Sequence, residues 1–524
     1  MKRRWDAIVI GAGLGGLTAA ATLIRAGQNV LVLEKNPHPG GTAYTFTRKG
    51  FVFPMGPLGF STPGRVRQIL ADLEADEDFH LHRVHYQVKA FGVDIVLSRS
   101  FERLAASLKT RFPEDNEGLD RFFRDMTDIV SAMQSPRQSD HTPTLEWTAK
   151  TSAADYLTAN IKCRRLRRIL GSLGTQEPYS AMALLAAMWN LMSNEGIWYP
   201  HGGMRAFCDR LGQSVTEGGN GIRGAGELWT GQEVKAIAVE QDTVTGVLLS
   251  NGAHEKAPYV ISNADFKTTF LRLLPPERLP APAYRQLVQA KQTGSVFQVC
   301  LGIKAGRVDL SAFSDASRLL YRHTGTQSDT LPVPVNWTAD EIDPAALAGQ
   351  ELEISLLSKE DPGLAPKAGH VLAIRTEADY GHFSRYRPSS GRRKPTYAPY
   401  KRRLAQALTH KVADIIPGLE TAVEAVDIAT PLTFEDQGGR SEGAVAGWSW
   451  DYEDTTVYEP VEIIRTPIRR LFMAGYQAYS NLFMGGVPTA MVSGRKAAEH
   501  VLNGAGPTAT LRIPGNPLGD GTPS

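Results

Sequence analysis

The sequence predicts an α/β fold in which a parallel sheet is interrupted by α+β insertions of mixed sheet and helix. Three observations predict it. The run Asp6-Ala7-Ile8-Val9-Ile10 has the character of a buried parallel strand and passes directly into Gly11-Ala12-Gly13-Leu14-Gly15-Gly16. The stretch Leu17 to Ala26, rich in Ala and Leu, favours helix and stops at Gly27. A second apolar run, Asn29 to Leu33, then ends in Glu34.

These parts make a Rossmann-type β-α-β unit. Gly11 permits the tight turn, Gly13 lets backbone approach a pyrophosphate, and Gly16 allows close packing of helix on strand. The helix N-terminus offers unpaired N–H groups and the positive end of a dipole to phosphates. Glu34 stands where an acid accepts ribose hydroxyls. A second glycine match, Gly219 to Gly224, follows a helix-like stretch and precedes a strand, so it is read as a loop.

Composition narrows the function classes. The chain has 524 residues with 57 basic against 55 acidic, a net charge of +2 that gives no global reason to bind nucleic acid. Cys163, Cys208 and Cys300 lack paired spacing, so neither a disulfide framework nor a metal site is read, and a reducing cytoplasm fits. No apolar run approaches the roughly 20 residues of a membrane span, and no secretory leader is read. His80, His82 and His85 are read as solvated or pocket-edge side chains rather than metal ligands. No nucleophile elbow, P-loop or carboxylate pair points to hydrolysis.

Beyond Glu34 come Gly40-Gly41-Thr42 and Gly50-Phe51-Val52-Phe53-Pro54-Met55-Gly56-Pro57. Farther on lie Pro200-His201-Gly202-Gly203-Met204, Val260 to Asp265, and Leu471 to Tyr476 followed by Met484-Gly485-Gly486-Val487-Pro488. In this order the motifs resemble the flavoprotein superfamily of amine oxidases, phytoene desaturases, carotenoid isomerases and retinol saturases. Asp427 to Thr433 with Gly439-Arg440-Ser441-Glu442-Gly443 is similar to a segment of the isomerase and saturase branch. Thr42, where amine oxidases usually carry Arg, favours the carotenoid-type branch. Pro54 departs from that branch, which has an acid there.

The resemblance implies FAD as cofactor. It assigns cofactor contacts to Gly11, Gly13, Leu14, Gly15, Gly16, Glu34, Lys35, Gly40, Gly41, Thr42, Pro57, Val234, Gly475, Tyr476, Gly485, Gly486 and Val487. It places His201, Arg440, Glu442 and Tyr452 beside the flavin as catalytic candidates, each equally readable as structural. Trp448, Trp450 and Tyr452 alternate, which reads either as core packing or as an aromatic wall.

Residues 1–88, 200–290 and 415–503 are expected to form the discontinuous FAD-binding domain. Residues 89–199 are expected to be a helical, substrate- or membrane-facing region, 291–414 a substrate-domain sheet, and 504–524 a flexible tail. The implied activity is oxidoreduction at carbon–carbon bonds of a long hydrophobic, isoprenoid or polyene substrate. Desaturation, saturation and reduced-flavin isomerisation share this apparatus. A flavin amine oxidase and a non-enzymatic prenyl carrier or escort protein are the alternatives. Such a substrate implies a peripheral place at the inner face of a membrane. The apolar segment Ala181 to Trp189, Met192, Trp198 and the basic run Lys162 to Arg168 are the expected contacts with an anionic surface, with burial of that segment in the core as the competing reading. The second basic run, Arg392 to Arg403, is read first as a solvated face. Oligomeric state leaves no mark in the sequence.

Overall fold

The computed structural model describes residues 4–508 and 511, apart from 91, 135–143, 145, 149–150, 172–181, 218–223, 323–333, 389–390, 450–460 and 481–485. The strands Ala7–Ile10 and Val30–Leu33 are fully buried. Both lie inside a five-stranded parallel sheet, in the order Leu471–Met473, Tyr259–Ser262, Ala7–Ile10, Val30–Leu33, Gly226–Trp229. Three chain-distant segments thus build one nucleotide-binding layer. The helix Leu14–Arg25 packs between this sheet and two others, Gly203–Thr216 and Gly486–Leu502. A three-stranded sheet, Val234–Glu240, Thr243–Leu249 and His254–Lys256, carries Val234.

A second sheet of seven strands runs Val423–Ala429, Ser295–Lys304, Gly369–Ala378, Leu352–Leu356, Arg318–Arg322, Tyr86–Ala90, Val93–Val96. The period of two divides its faces. Phe297, Val299, Leu301, Ile303, Leu372 and Ile374 join one core with Tyr400, Leu404, Leu408 and Val412 of the helix Tyr397–Ala413. Val296, Gln298, Cys300 and Gly302 alternate with them and turn to the opposite face, where Phe51 and Phe53 pack. Gly302 is needed there, since a Cβ would meet the Phe51 ring at 2.4 Å.

Two expected boundaries shift. The segment 415–503 was assigned to the nucleotide unit, yet its first strand, Val423–Ala429, pairs with Ser295–Lys304 in the wide sheet. The strand Tyr86–Ala90 crosses the boundary expected at 88 and joins the same sheet, parallel to Arg318–Arg322. Alternation marks a strand but does not name its partner.

The expected membrane patch also changes. In the helix Met182–Asn190, Met182, Ala183, Leu185, Ala186, Ala187 and Trp189 are buried. Trp189 meets Phe122 and Phe123 edge-on at 5.6 Å and donates its indole N–H to Leu170 O at 2.8 Å. Met192 is buried as well. The segment is core because the apolar face of Asn116–Gln134 needs a partner and receives this one. Among the described residues no helix is long and apolar enough to cross a membrane.

The closest helix contact sets a test. A Cβ at Gly494 would sit 2.0 Å from Gly15 O, so Gly494→Ala is expected to cost about 1–3 kcal/mol of stability through overpacking. Gly506→Ala, with open space around it, is the matched control and should leave the urea midpoint unchanged.

Candidate functional site

Leu33 ends the second strand and hands Glu34 to the loop, buried, beneath the glycine turn. Glu34 Oε2 accepts the Ala12 N–H at 2.8 Å, and Oε1 accepts the Asn36 N–H at 2.8 Å. The carboxylate therefore orders both loops that border the cavity. Gly11 adopts φ +90°, where a side chain is strained, and so makes the tight turn. A Cβ at Gly16 would meet Gly11 O at 2.1 Å, which confirms its packing role and explains why it does not itself line the cavity.

The cavity measures about 790 Å³ and runs from this turn to the wide sheet. Gly11, Gly13, Leu14, Gly15, Glu34, Lys35, Gly40, Gly41, Thr42, Pro57, Val234, Gly475, Tyr476, Gly486 and Val487 all line it. Gly485 lies outside the described residues, as do Trp450, Tyr452 and most of the second glycine match.

Of the three catalytic candidates among the described residues, only Arg440 lines the cavity. Its guanidinium lies 4.4 Å over the Tyr476 ring, donates to Thr42 Oγ1 at 2.7 Å, and is anchored by Ala444 O at 3.1 Å and Val445 O at 2.7 Å. His201 is exposed and outside the cavity, because its turn follows a strand paired with Leu81–Val84 and its N–H is spent on His80 O at 2.9 Å. Glu442 is also outside the lining, with its carboxylate 2.8 Å from Lys267 Nζ. Trp448 is buried core: it packs on Phe266 and donates to Gln477 O at 3.0 Å.

Sequence reasoning missed Asn263 and Arg375. Asn263 closes the strand Tyr259–Ser262, and a Cβ at Gly13 or Gly15 would collide with its amide at 2.8 or 2.5 Å. Its place directly after a buried strand was the available signal. Arg375 sits on the Gly369–Ala378 strand and also lines the cavity. The second basic run is partly neutralised at the rim, where Arg393 pairs with Asp436, a partner shared with Arg387.

The residues present fit FAD. Nothing in the described protein lies within 4 Å of a Cβ added to Gly486, so protein packing does not demand that glycine, whereas a close cofactor would. Tyr476 Oη is buried without a hydrogen-bond partner among the described residues, and burial raises its pKa. An unpaired buried hydroxyl calls for a polar group supplied from the cavity.

Residues 14–367 match the profile described as flavin containing amine oxidoreductase. The chain belongs to this family. It is 26% identical to the inactive all-trans-retinol 13,14-reductase of Danio rerio, over 95% of this chain and 86% of that one. It is 25% identical to the prolycopene isomerase of Daucus carota, over 84% and 72%. A neurosporene-forming phytoene desaturase of Cereibacter sphaeroides is 29% identical over 51% and 54%. The fold resembles that of an oxidoreductase from Methanosarcina mazei, with TM-score 0.64 at 18% identity over 94% of this chain and 99% of that one. A putrescine oxidase variant gives 0.62 at 15%, over 95% and 99%. The protein is a flavoprotein enzyme, and FAD is its cofactor.

Replacing Glu34 by Ala strips two backbone N–H groups of their charged acceptor, each bond worth about 1.5–3 kcal/mol. The purified variant should show a sharply reduced ratio of flavin to protein absorbance. Retention of full flavin by a folded variant would remove Glu34 from the site.

Proposed function

We propose that this enzyme uses FAD to exchange hydride with carbon–carbon bonds of a long apolar polyene or isoprenoid. The observation that carries this reading is the cavity's continuity from the glycine turn to an apolar wall of Val296, Phe434, Ala444 and Val445. Catalytic carboxylate pairs and nucleophile–base pairs are absent from its lining among the described residues. The named activities of the prolycopene isomerase and phytoene desaturase relatives support the same substrate class.

FAD, when bound, supplies hydride acceptance and return, chemistry that asks little of side-chain acids. The protein's own residues bind and orient. The Gly11 to Gly15 turn and the helix behind it would hold the diphosphate, Glu34 the ribose, and Val234 the adenine side. Gly40, Gly41 and Thr42 would hold the ribityl chain, and the N-terminus of Gly486–Leu502 would favour negative charge placed beside it. Arg440, fixed by two carbonyls, holds Tyr476 in place. Tyr476 keeps its proton at Oη, since burial raises its pKa, and is the best-placed donor to the cavity. Val296 and Phe434 exclude water from the reacting carbons.

A substrate of this kind partitions into lipid, so a peripheral place at the inner membrane face accompanies the proposal. The helix Met182–Asn190, being core, is not the contact.

Anaerobic photoreduction of the yellow protein, followed by incubation with polyene, retinoid and amine panels, tests the reading. Reduced or oxidised enzyme should convert a polyene or retinoid, while amines leave the oxidised flavin unbleached. Rapid bleaching by an amine, with no polyene changed, would overturn it. Tyr476→Phe should slow any step that adds a proton to carbon, per bound FAD, by about 10²–10⁴-fold if Oη is the general acid. Single-turnover rates of product formation measure this.

A further inference from the structure

The cavity-facing side of the wide sheet carries a polar row beside its apolar cluster. Cross-strand register aligns Gln298, Arg375 and Glu353 in one row, with Tyr86 and Arg318 in the next row on the same face. Most of these charges are satisfied. Arg318 meets Glu360 at 2.6 Å, and Glu353 accepts the Tyr86 hydroxyl at 3.0 Å. Arg375 differs. Its Nε donates to Gln298 Oε1 at 2.5 Å and its Nη2 to Gly56 O, both neutral acceptors. Nη1 makes no hydrogen bond, and the guanidinium has no ion-pair partner among the described residues, although Glu353 is its register neighbour. The remaining cations of the lining are placed otherwise: Lys35, Lys235 and Arg272 are exposed, and Arg440 is engaged with Thr42 and two carbonyls.

Desolvation of a cation that lacks a contacting carboxylate is costly, and it lowers the pKa of Arg375 below the ordinary arginine value, although the charge of Glu353 across the strand opposes the shift. Gln298 is itself buried and donates to Pro54 O at 3.0 Å, so the amide that aims the guanidinium is fixed at both ends. Val296, Ala429 and Phe434 form an apolar cluster on the same face. A fixed cation beside an apolar wall matches one chemical pattern, a carboxylate on a long apolar chain.

We infer that Arg375 is a specificity-determining residue that holds the carboxylate end of an acid-ended polyene or isoprenoid through its free Nη1. This rests on the polyene reading above and narrows it from hydrocarbons to acids.

The test titrates FAD-loaded enzyme with a polyene carboxylic acid, its methyl ester and the hydrocarbon of equal length, following perturbation of the flavin spectrum. The acid is expected to bind about tenfold or more tightly than the ester or the hydrocarbon. Arg375→Gln should abolish that preference without loss of flavin, and Arg375→Lys should restore part of it. Equal affinity of wild-type enzyme for acid and ester overturns the inference and leaves the polyene reading standing, and this arm needs no variant. An acid preference undiminished in Arg375→Gln overturns the assignment to Arg375. Loss of flavin from a folded Arg375→Gln variant would make Arg375 a cofactor ligand and overturn it too. No spectral response to any of the three compounds overturns the polyene reading and the inference together.

Discussion

A side chain at Gly15 would lie 2.5 Å from Asn263 Oδ1 and 2.9 Å from both Ala490 O and Gly475 N. Segments hundreds of residues away in the chain, one at Asn263 and one holding Gly475 and Ala490, therefore converge on one missing Cβ. Gly494 completes the approach from the last helix, with room for nothing larger than hydrogen against Gly15 O. Because close-packed interiors do not stretch to admit a methyl group, this contact fixes the crossing of the first and last helices. The mouth of the cavity follows from that crossing, since Gly13, Gly475 and Gly486 all border it.

From this anchor the chain leaves and returns. The insertions share a sheet whose two faces do different work. One is sealed by the helix Tyr397–Ala413 through ordinary apolar packing, and Tyr397 ties it to the next segment by a hydroxyl contact of 2.6 Å with Thr430. Thr430 caps the helix Pro431–Gly438, which carries Phe434 to the cavity. The sealed face therefore holds the functional face in position without entering it.

Polar groups on the functional face are bound to backbone as much as to each other. Gln298 and Arg375 both reach carbonyls of the Pro54 to Gly56 stretch, so the sheet is clamped to the loop that follows Phe53. Arg318 does the same through Leu58 O at 3.3 Å. Pro54, which departs from the pattern of the family resembled, is coupled to this sheet through its backbone carbonyl. A charged side chain at this place would change the electrostatics seen by Arg375, whose only hydrogen-bond partners among the described residues are neutral.

By itself the sequence determined the nucleotide unit. Strand, glycine turn, helix and acid are contiguous, and their chemistry depends on spacing along the chain, which is visible in one dimension. The strands Ser295–Lys304 and Gly369–Ala378 fall within the sheet expected for residues 291–414. Tertiary structure decided the rest. It moved Val423–Ala429 into the wide sheet, because a period of two fixes a strand's faces but not its neighbour. It buried Met182–Asn190, because an apolar helix reads the same whether lipid or Phe122 and Phe123 lie opposite. It took His201 and Glu442 away from the cavity, and it brought in Asn263 and Arg375, which belong to no local motif. Their roles arise from register and from the charges that other strands do or do not place beside them, and pairing of that kind exists only after the chain has folded.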